Sequence, residues 1–380
     1  MGRRRRLYPL RWVSSDGDCG VAFCPNLGLG RLSRLSDDRS LRIGIIAPPW
    51  VQVPPSQYGG TELVVDRLAR GLTAEGHAVD LFTTGESTCP VPRSWLYPAA
   101  LGTTGDPAAE FAHVQRAYAL FAGVDIVHDH TLTGPAWARS WRPELPVVTT
   151  NHGPFNPWSI AHFKSFADDV PVIAISDAQR RSALGVPIAT TIHHGVEVEN
   201  FHLGDGGGGY LLFLGRMSAE KGVHRAITVA QAAGKQLIIA AKMWEEDEIR
   251  YFAEQVEPRL CDDIVYVGQA GEQRKAELLA GAIALVNPIR WPEPFGLVMI
   301  EALASGTPVL AFAEGAAPEI VEHGRTGFLC RDEADMARRV DEVPGLSRLA
   351  CRAAAAERFS ARVFVERHID FYRKVLRDRV

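Results

Sequence analysis

The chain has 380 residues, 46% of them apolar and 23% charged, with a formal net charge of −4. That composition excludes wholesale disorder, supplies two or three domains with cores of their own, and gives no global field for nucleic acid. No run of about 18 apolar residues occurs, so no transmembrane helix is expected.

Residues 1–40 hold eight Arg against four Asp. The run Arg3–Arg6 lacks a following apolar stretch, so it reads as a solvated extension rather than a signal peptide. Cysteines at 19, 24, 89, 261, 330 and 351 are scattered, which is neither a disulfide framework nor a zinc pattern and suits a reducing compartment.

The fold is expected to begin at Leu41. Leu41–Ala47 is short and apolar, a buried strand. Gly59-Gly60-Thr61 then opens a helix whose Val64, Val65, Leu68, Ala69 and Leu72 recur at helical spacing, with Gly76 as its stop. Further strands are predicted at 78–83, 125–127, 147–150 and 172–175, and Ser176 is placed to cap a helix. This alternation predicts a parallel sheet covered on both faces.

Gly204-Asp205-Gly206-Gly207-Gly208-Gly209 interrupts the pattern and reads as a flexible linker; no Gly-Lys-Ser/Thr follows it, so it is not a Walker loop. Strands are predicted again at 210–214, 237–241, 264–267, 284–287 and 309–312. The division expected is an extension 1–40, a Rossmann-like lobe 41–203, the linker 204–209, a second Rossmann-like lobe 210–358, and a helical tail 359–380 returning to the first lobe. The fold class expected is α/β, two doubly wound domains facing across a cleft. In such sheets ligands bind beyond the carboxyl ends of the strands.

Four stretches carry candidate chemistry. In Arg290–Val309, Pro292 and Pro294 hold Glu293 in a loop, Gly296 lets backbone approach a ligand, and Glu301 follows in a helix whose free N–H groups suit phosphate. Carboxylates beside a phosphate site make sense if they accept from sugar hydroxyls; the plain alternative is helix-dipole stabilisation. Gly215–Gly222 places Arg216 and Lys221 after a strand, cations suited to a diphosphate or else a solvated loop with an Arg216–Glu220 pair. Gly59 and Gly60 allow close approach to an anion, or form only a tight turn. His152, in Thr150–Pro154, sits just past a strand and is either an acid–base or hydrogen-bonding group or a structural histidine. Asp16-Gly17-Asp18 lies in the extension, and His128-Asp129-His130 offers no third metal ligand, although both histidines would share a strand face.

Together, over about residues 41–377, these stretches resemble the family-4 retaining glycosyltransferases of GT-B fold. Glu293 and Glu301 match the family's Glu-x7-Glu motif, Gly215-Arg216 with Lys221-Gly222 its diphosphate loop, Gly59-Gly60 its first glycine loop, and His152 its active-site histidine. The Pro-rich loop with Gly-Gly-Thr-Glu is most similar to an actinobacterial branch that includes avilamycin-type antibiotic transferases. His194-Gly195-Val196-Glu197 departs from the family's usual Asn-Gly-Val-Asp.

The resemblance implies transfer of a sugar from a nucleoside-diphosphate sugar to an acceptor hydroxyl with retained configuration. It implies that Arg216 and Lys221 hold the diphosphate, Glu301 the ribose, and Glu293 the transferred sugar. It further implies that Phe295, Gly296 and Leu297 line the donor through backbone N–H groups, that Gly59 and Gly60 close from the other lobe, that His152 orients the sugar, and that the base lies near Val267-Gly268. No metal or other cofactor is expected. The expected partners are the donor and a small-molecule, glycan or lipid-linked acceptor, not nucleic acid. The expected location is cytoplasmic, with room for peripheral contact at the inner membrane surface. Trp50, Tyr58, Phe155, Trp158 and Phe163 are candidates for an acceptor wall or for core and rim.

Other readings are a GT-B epimerase or phosphorylase, a non-catalytic nucleotide-sugar binder, and a dinucleotide-dependent oxidoreductase. The last rests on Gly28-Leu29-Gly30 alone, where Ser33 replaces the third glycine of the fingerprint.

Overall fold

The computed structural model describes residues 39–56, 59–102 and 105–379. Tyr58, Cys19, Cys24, the Arg-rich run, Asp16–Asp18 and Gly28–Gly30 lie outside the described residues.

The first sheet contains β1 (Arg42–Ile46), β2 (Ala78–Thr83), β3 (Arg93–Trp95), β4 (Ile126–Asp129), β5 (Val147–Thr150), β6 (Val172–Ala174) and β7 (Ile188–Thr191). All pairings are parallel, in the order β3-β2-β1-β4-β5-β6-β7. Its helices are α1 (Gly60–Ala74), α2 (Pro107–Leu120), α3 (Thr133–Trp141), α4 (Pro157–Lys164) and α5 (Asp177–Ser182).

The second sheet contains β8 (Tyr210–Arg216), β9 (Gln236–Lys242), β10 (Ile264–Tyr266), β11 (Ala284–Asn287), β12 (Val309–Phe312) and β13 (Gly327–Cys330), again parallel, in the order β10-β9-β8-β11-β12-β13. Around it lie α6 (Val223–Ala233), α7 (Glu246–Tyr251), α8 (Glu272–Gly281), α9 (Leu297–Ala304), α10 (Ala317–Ile320), α11 (Glu333–Val340) and α12 (Arg348–Phe359). The last helix is α13 (Ala361–Asp378).

The central strands are buried on both faces, which is why they read as apolar runs, whereas β3 and β7 are not. The apolar positions of α1 (Val64, Val65, Leu68, Ala69 and Leu72) are all buried, and Gly76 takes a positive φ of 83° just past the helix. Ser176 caps α5, accepting from the Gln179 N–H at 2.9 Å.

The glycine run is not a loose tether. Gly204 donates to the Ser305 carbonyl and Gly206 to the Ala280 carbonyl, both in the second lobe. A Cβ on Gly204 would come within 2.0 Å of the Ala280 carbonyl oxygen, so glycine is required there by close approach rather than by flexibility. The chain has already crossed before this point. Val196 donates to Phe359 and accepts from Ala361.

Helix α13 returns across the first lobe. A Cβ on Gly71 of α1 would sit 2.3 Å from Val365 of α13, and Tyr372 of α13 is fully buried beside His128 of β4. Ser360, which caps α13, is where the chain turns back. Each large apolar side chain that α13 buries contributes about 1.5–3 kcal/mol.

The strand order reverses between β1 and β4 in one sheet and between β8 and β11 in the other. Each reversal opens a crevice at the carboxyl ends of its strands.

Candidate functional site

A cleft of about 460 Å³ lies at these carboxyl ends. The first lobe contributes Pro54, Pro55, Gly59 and Gly60 after β1, His152 after β5, and His194 after β7. The second contributes Gly215 and Lys221 after β8, Lys242 at the end of β9, Gln269 and Ala270 after β10, and Glu293–Val298 with Glu301 after β11.

Four helices beside the cleft begin after a glycine with no side-chain cap: α1 after Gly59, α6 after Gly222, α8 after Gly271, and α9 after Gly296. Most helices fill this position with Ser, Thr, Asp or Asn, which satisfy the first free N–H groups. Here those donors keep no such partner, and each helix start carries partial positive charge. Gly222 and Gly296 have φ of 81° and 95°, a left-handed turn that favours glycine. A Cβ on Gly60 would lie 3.8 Å from Leu297, so the starts of α1 and α9 meet across the cleft.

Charged groups in the second lobe are paired. Lys221 Nζ bonds Glu293 Oε2 at 2.6 Å, both side chains mostly buried. Lys275 Nζ lies 2.8 Å from both Glu301 Oε1 and Glu272 Oε1. Burial alone would lower the Lys275 pKa, but Glu301 and Glu272 outweigh it and the net shift is upward. Arg67 of α1 reaches over from the first lobe, its guanidinium 3.7 Å from Glu301 and 2.9 Å from the Gly195 carbonyl.

Arg67 apart, the first lobe presents neutral groups. Burial, then the nearby His368, pushes the His152 pKa down to about 3, so its imidazole is uncharged at neutral pH. Burial, then the neighbouring histidines, holds His194 well below its ordinary value too. Their rings stack at 5.4 Å.

Gly59, Gly60, His152, Lys221, Glu293, Phe295, Gly296, Leu297 and Glu301 therefore line one cleft. Arg216, Val267 and Gly268 do not. Arg216 is turned to the exposed Glu220 and the buried Glu248 of the second lobe. Gly268 spends its carbonyl on the Ala241 N–H at 2.9 Å, and Val267 is exposed; the next two residues, Gln269 and Ala270, are the ones that face the cleft.

Sequence reasoning passed over Lys242, Lys275 and Arg67. Lys242 follows the last residue of a predicted strand, which is a usable signal. Lys275 looks like any solvated helix charge until α8 packs beside α9.

Of the proposed acceptor wall, Phe163 is core, whereas Trp158 is 60% exposed and stacks on His162. His128 is also internal, bonded to Tyr372 Oη at 2.7 Å and Thr150 Oγ1 at 2.8 Å. Among the described residues no helix is long and apolar enough to cross a membrane.

Comparison with known proteins agrees with this architecture. Residues 58–200 match the family model described as Glycosyltransferase Family 4, and residues 198–354 match Glycosyl transferases group 1. Alpha-maltose-1-phosphate synthase of Mycobacterium tuberculosis is 28% identical over 393 residues, covering 85% of this chain and 97% of that one. The crystal structure of AviGT4, a glycosyltransferase involved in Avilamycin A biosynthesis, superposes with a TM-score of 0.67 at 28% identity over 89% of this chain and 98% of that one. Anabaena HepE, solved with UDP and glucose, shares the fold with a TM-score of 0.70 at 18% identity, covering 87% of this chain and 99% of that one. Two parallel sheets facing across a cleft, with both family models matched in series, place the chain among the GT-B glycosyltransferases of the family-4 type.

Proposed function

We propose that the enzyme moves a sugar from a nucleoside-diphosphate sugar to an acceptor hydroxyl, with retention at the anomeric carbon. The observation that carries this reading is the convergence of four uncapped, glycine-started helices and Lys221 on one cleft. Free helix N-termini with a nearby cation form a site for a dianionic diphosphate. HepE, of the same fold, has been solved with UDP-glucose, which fits a donor of this class.

On this reading Lys221 and the starts of α6 and α9 stabilise charge as it builds on the departing diphosphate. The incoming phosphate competes with Glu293 for Lys221. Glu293, released from its partner, accepts from a hydroxyl of the transferred sugar. Lys275 holds Glu301 oriented to accept from the ribose hydroxyls. Gln269 and Ala270 stand where the base would lie. Arg216 joins the diphosphate only by leaving Glu220. Gly59 and Gly60 bring backbone N–H groups from the first lobe, and His152 meets the sugar. The acceptor enters from the first lobe, and the cleft walls limit competing attack by water.

A thermal-shift screen against a nucleotide-sugar panel, followed by product analysis with labelled donor, tests this. Stabilisation by one donor class and formation of an α-configured glycoside from an α-donor are expected. An altered free sugar or nucleotide sugar without glycoside would identify an epimerase instead. Binding with no turnover under any acceptor would leave only a binding protein.

A further inference from the structure

The floor of the first-lobe wall is a row of imidazoles. His128 and His130 lie on one face of β4 and its end, with ring centroids 4.0 Å apart. His130 Nδ1 is 2.8 Å from His152 Nε2, and His194 stacks on the other side of His152. The backbone N–H of His130 is fixed to the Ile46 carbonyl at 2.9 Å, and both ring nitrogens of His128 are already bonded.

A bond between two neutral imidazoles carries one proton, so one ring donates and the other accepts. The remaining nitrogen of His130, Nε2, is buried and has no partner. If the proton of His130 were on Nε2, a buried N–H would be stranded there and His152 would be the donor. If it is on Nδ1, only a lone pair is stranded. Orphaned buried N–H groups are the rarer and costlier case. His130 is therefore the donor through Nδ1 and His152 the acceptor through Nε2. The proton of His152 then resides on Nδ1, which has no protein partner among the described residues. Burial depresses both rings far below neutral pH, in agreement with a single bridging proton.

We propose that His130 is a positioning residue for sugar transfer: it locks His152 as the Nδ1–H tautomer, a hydrogen-bond donor to a substrate oxygen rather than a proton acceptor. The proposal rests on the reading of His152 as a group that meets the substrate. It also gives the His128-Asp129-His130 segment a task, as the support of the neighbouring strand's histidine. The two imidazoles meet because β4 and β5 are adjacent and in register, Asp129 opposite Thr149.

The test is long-range proton–nitrogen correlation NMR on protein labelled at histidine nitrogen, with His152 assigned by its loss in His152→Ala. The wild-type protein should show His152 protonated on Nδ1. His130→Phe, which keeps ring volume but not the bond, should release His152 toward a tautomer mixture. It should lower kcat about tenfold, the worth of one buried hydrogen bond, with donor KM changed by less than about twofold. His130→Asn, whose amide N–H falls near the position of Nδ1, should recover most of kcat. A wild-type His152 carrying its proton on Nε2 overturns the proposal, and so does equal kcat in the Phe and Asn variants. Unchanged turnover in His152→Ala would instead take down the role given to His152, and the proposal with it.

Discussion

The two walls of the cleft differ in kind. The second lobe meets the ligand with charge, as Lys221–Glu293 and Lys275–Glu301 pairs set among helix starts. The first lobe meets it with glycine backbone and uncharged imidazoles. The full charges that meet the leaving group lie on one side, and the first lobe adds only the partial charge of the α1 start. The opposite wall has to shape, orient and exclude water, and neutral groups do this without competing for the phosphate.

Acid should break this comparison most severely, because it charges the neutral wall. His113, His128, His130, His152, His194 and His368 all have folded pKa values below the unfolded 6.5, chiefly through burial. Their contribution is complete above about pH 6.5 and is lost as pH falls, since the unfolded chain then binds more protons. A loss on the order of 1 kcal/mol per histidine is expected by pH 5.5. Urea midpoints at pH 7.5 and 5.5 measure it, and a flat profile would refute the buried, neutral assignment.

The charged wall is tested next by Lys221→Ala, expected to lower kcat/KM with the preferred donor about 10²–10³-fold. Unchanged turnover would remove the second lobe's claim on the diphosphate. The seam between the lobes comes third. Glu319 of α10 accepts from the Asp177 and Ala178 N–H groups of α5 at 2.8 and 2.6 Å, and lies 2.9 Å from His193 Nε2. Burial pushes its pKa up, but these donors prevail and hold it below 4.5. Its contribution therefore persists above about pH 4.5 and disappears as pH falls through the lowered value. Glu319→Gln should cost about 1–2 kcal/mol at pH 7.5, read from urea unfolding, and much less at pH 3.5. Arg216→Ala should have the smallest effect, under about tenfold on kcat/KM, because Arg216 begins outside the cleft. A loss equal to that of Lys221→Ala would mean that donor binding draws Arg216 inward.

Most of the central strands were legible because burial on both faces writes itself as apolar runs; 78–83, 147–150, 284–287 and 309–312 match residue for residue. The strands missed are β3, β7 and β13. Arg93-Ser94-Trp95 and Ile188-Ala189-Thr190-Thr191 carry too little apolar signal, and Gly327–Cys330 opens on a glycine, a residue depleted in strands. In the site, the glycines were visible because local backbone demands them, and the Glu-x7-Glu spacing through the family resemblance. Lys275 and Arg67 were not, since their partners come from other elements and, for Arg67, from the other lobe. His130 was visible as a residue but not as a donor to His152, a contact that exists only once β4 and β5 are paired.

The placement of α13 has a consequence for synthesis and for engineering. The first 200 residues leave the ribosome long before the helix that finishes their hydrophobic interior, whose Tyr372 closes over His128. The early lobe must wait, incomplete, until α13 has been made. Hybrid enzymes that exchange donor halves between relatives should therefore be cut twice, near 195 and near 360, so that segment 361–378 travels with the half it completes.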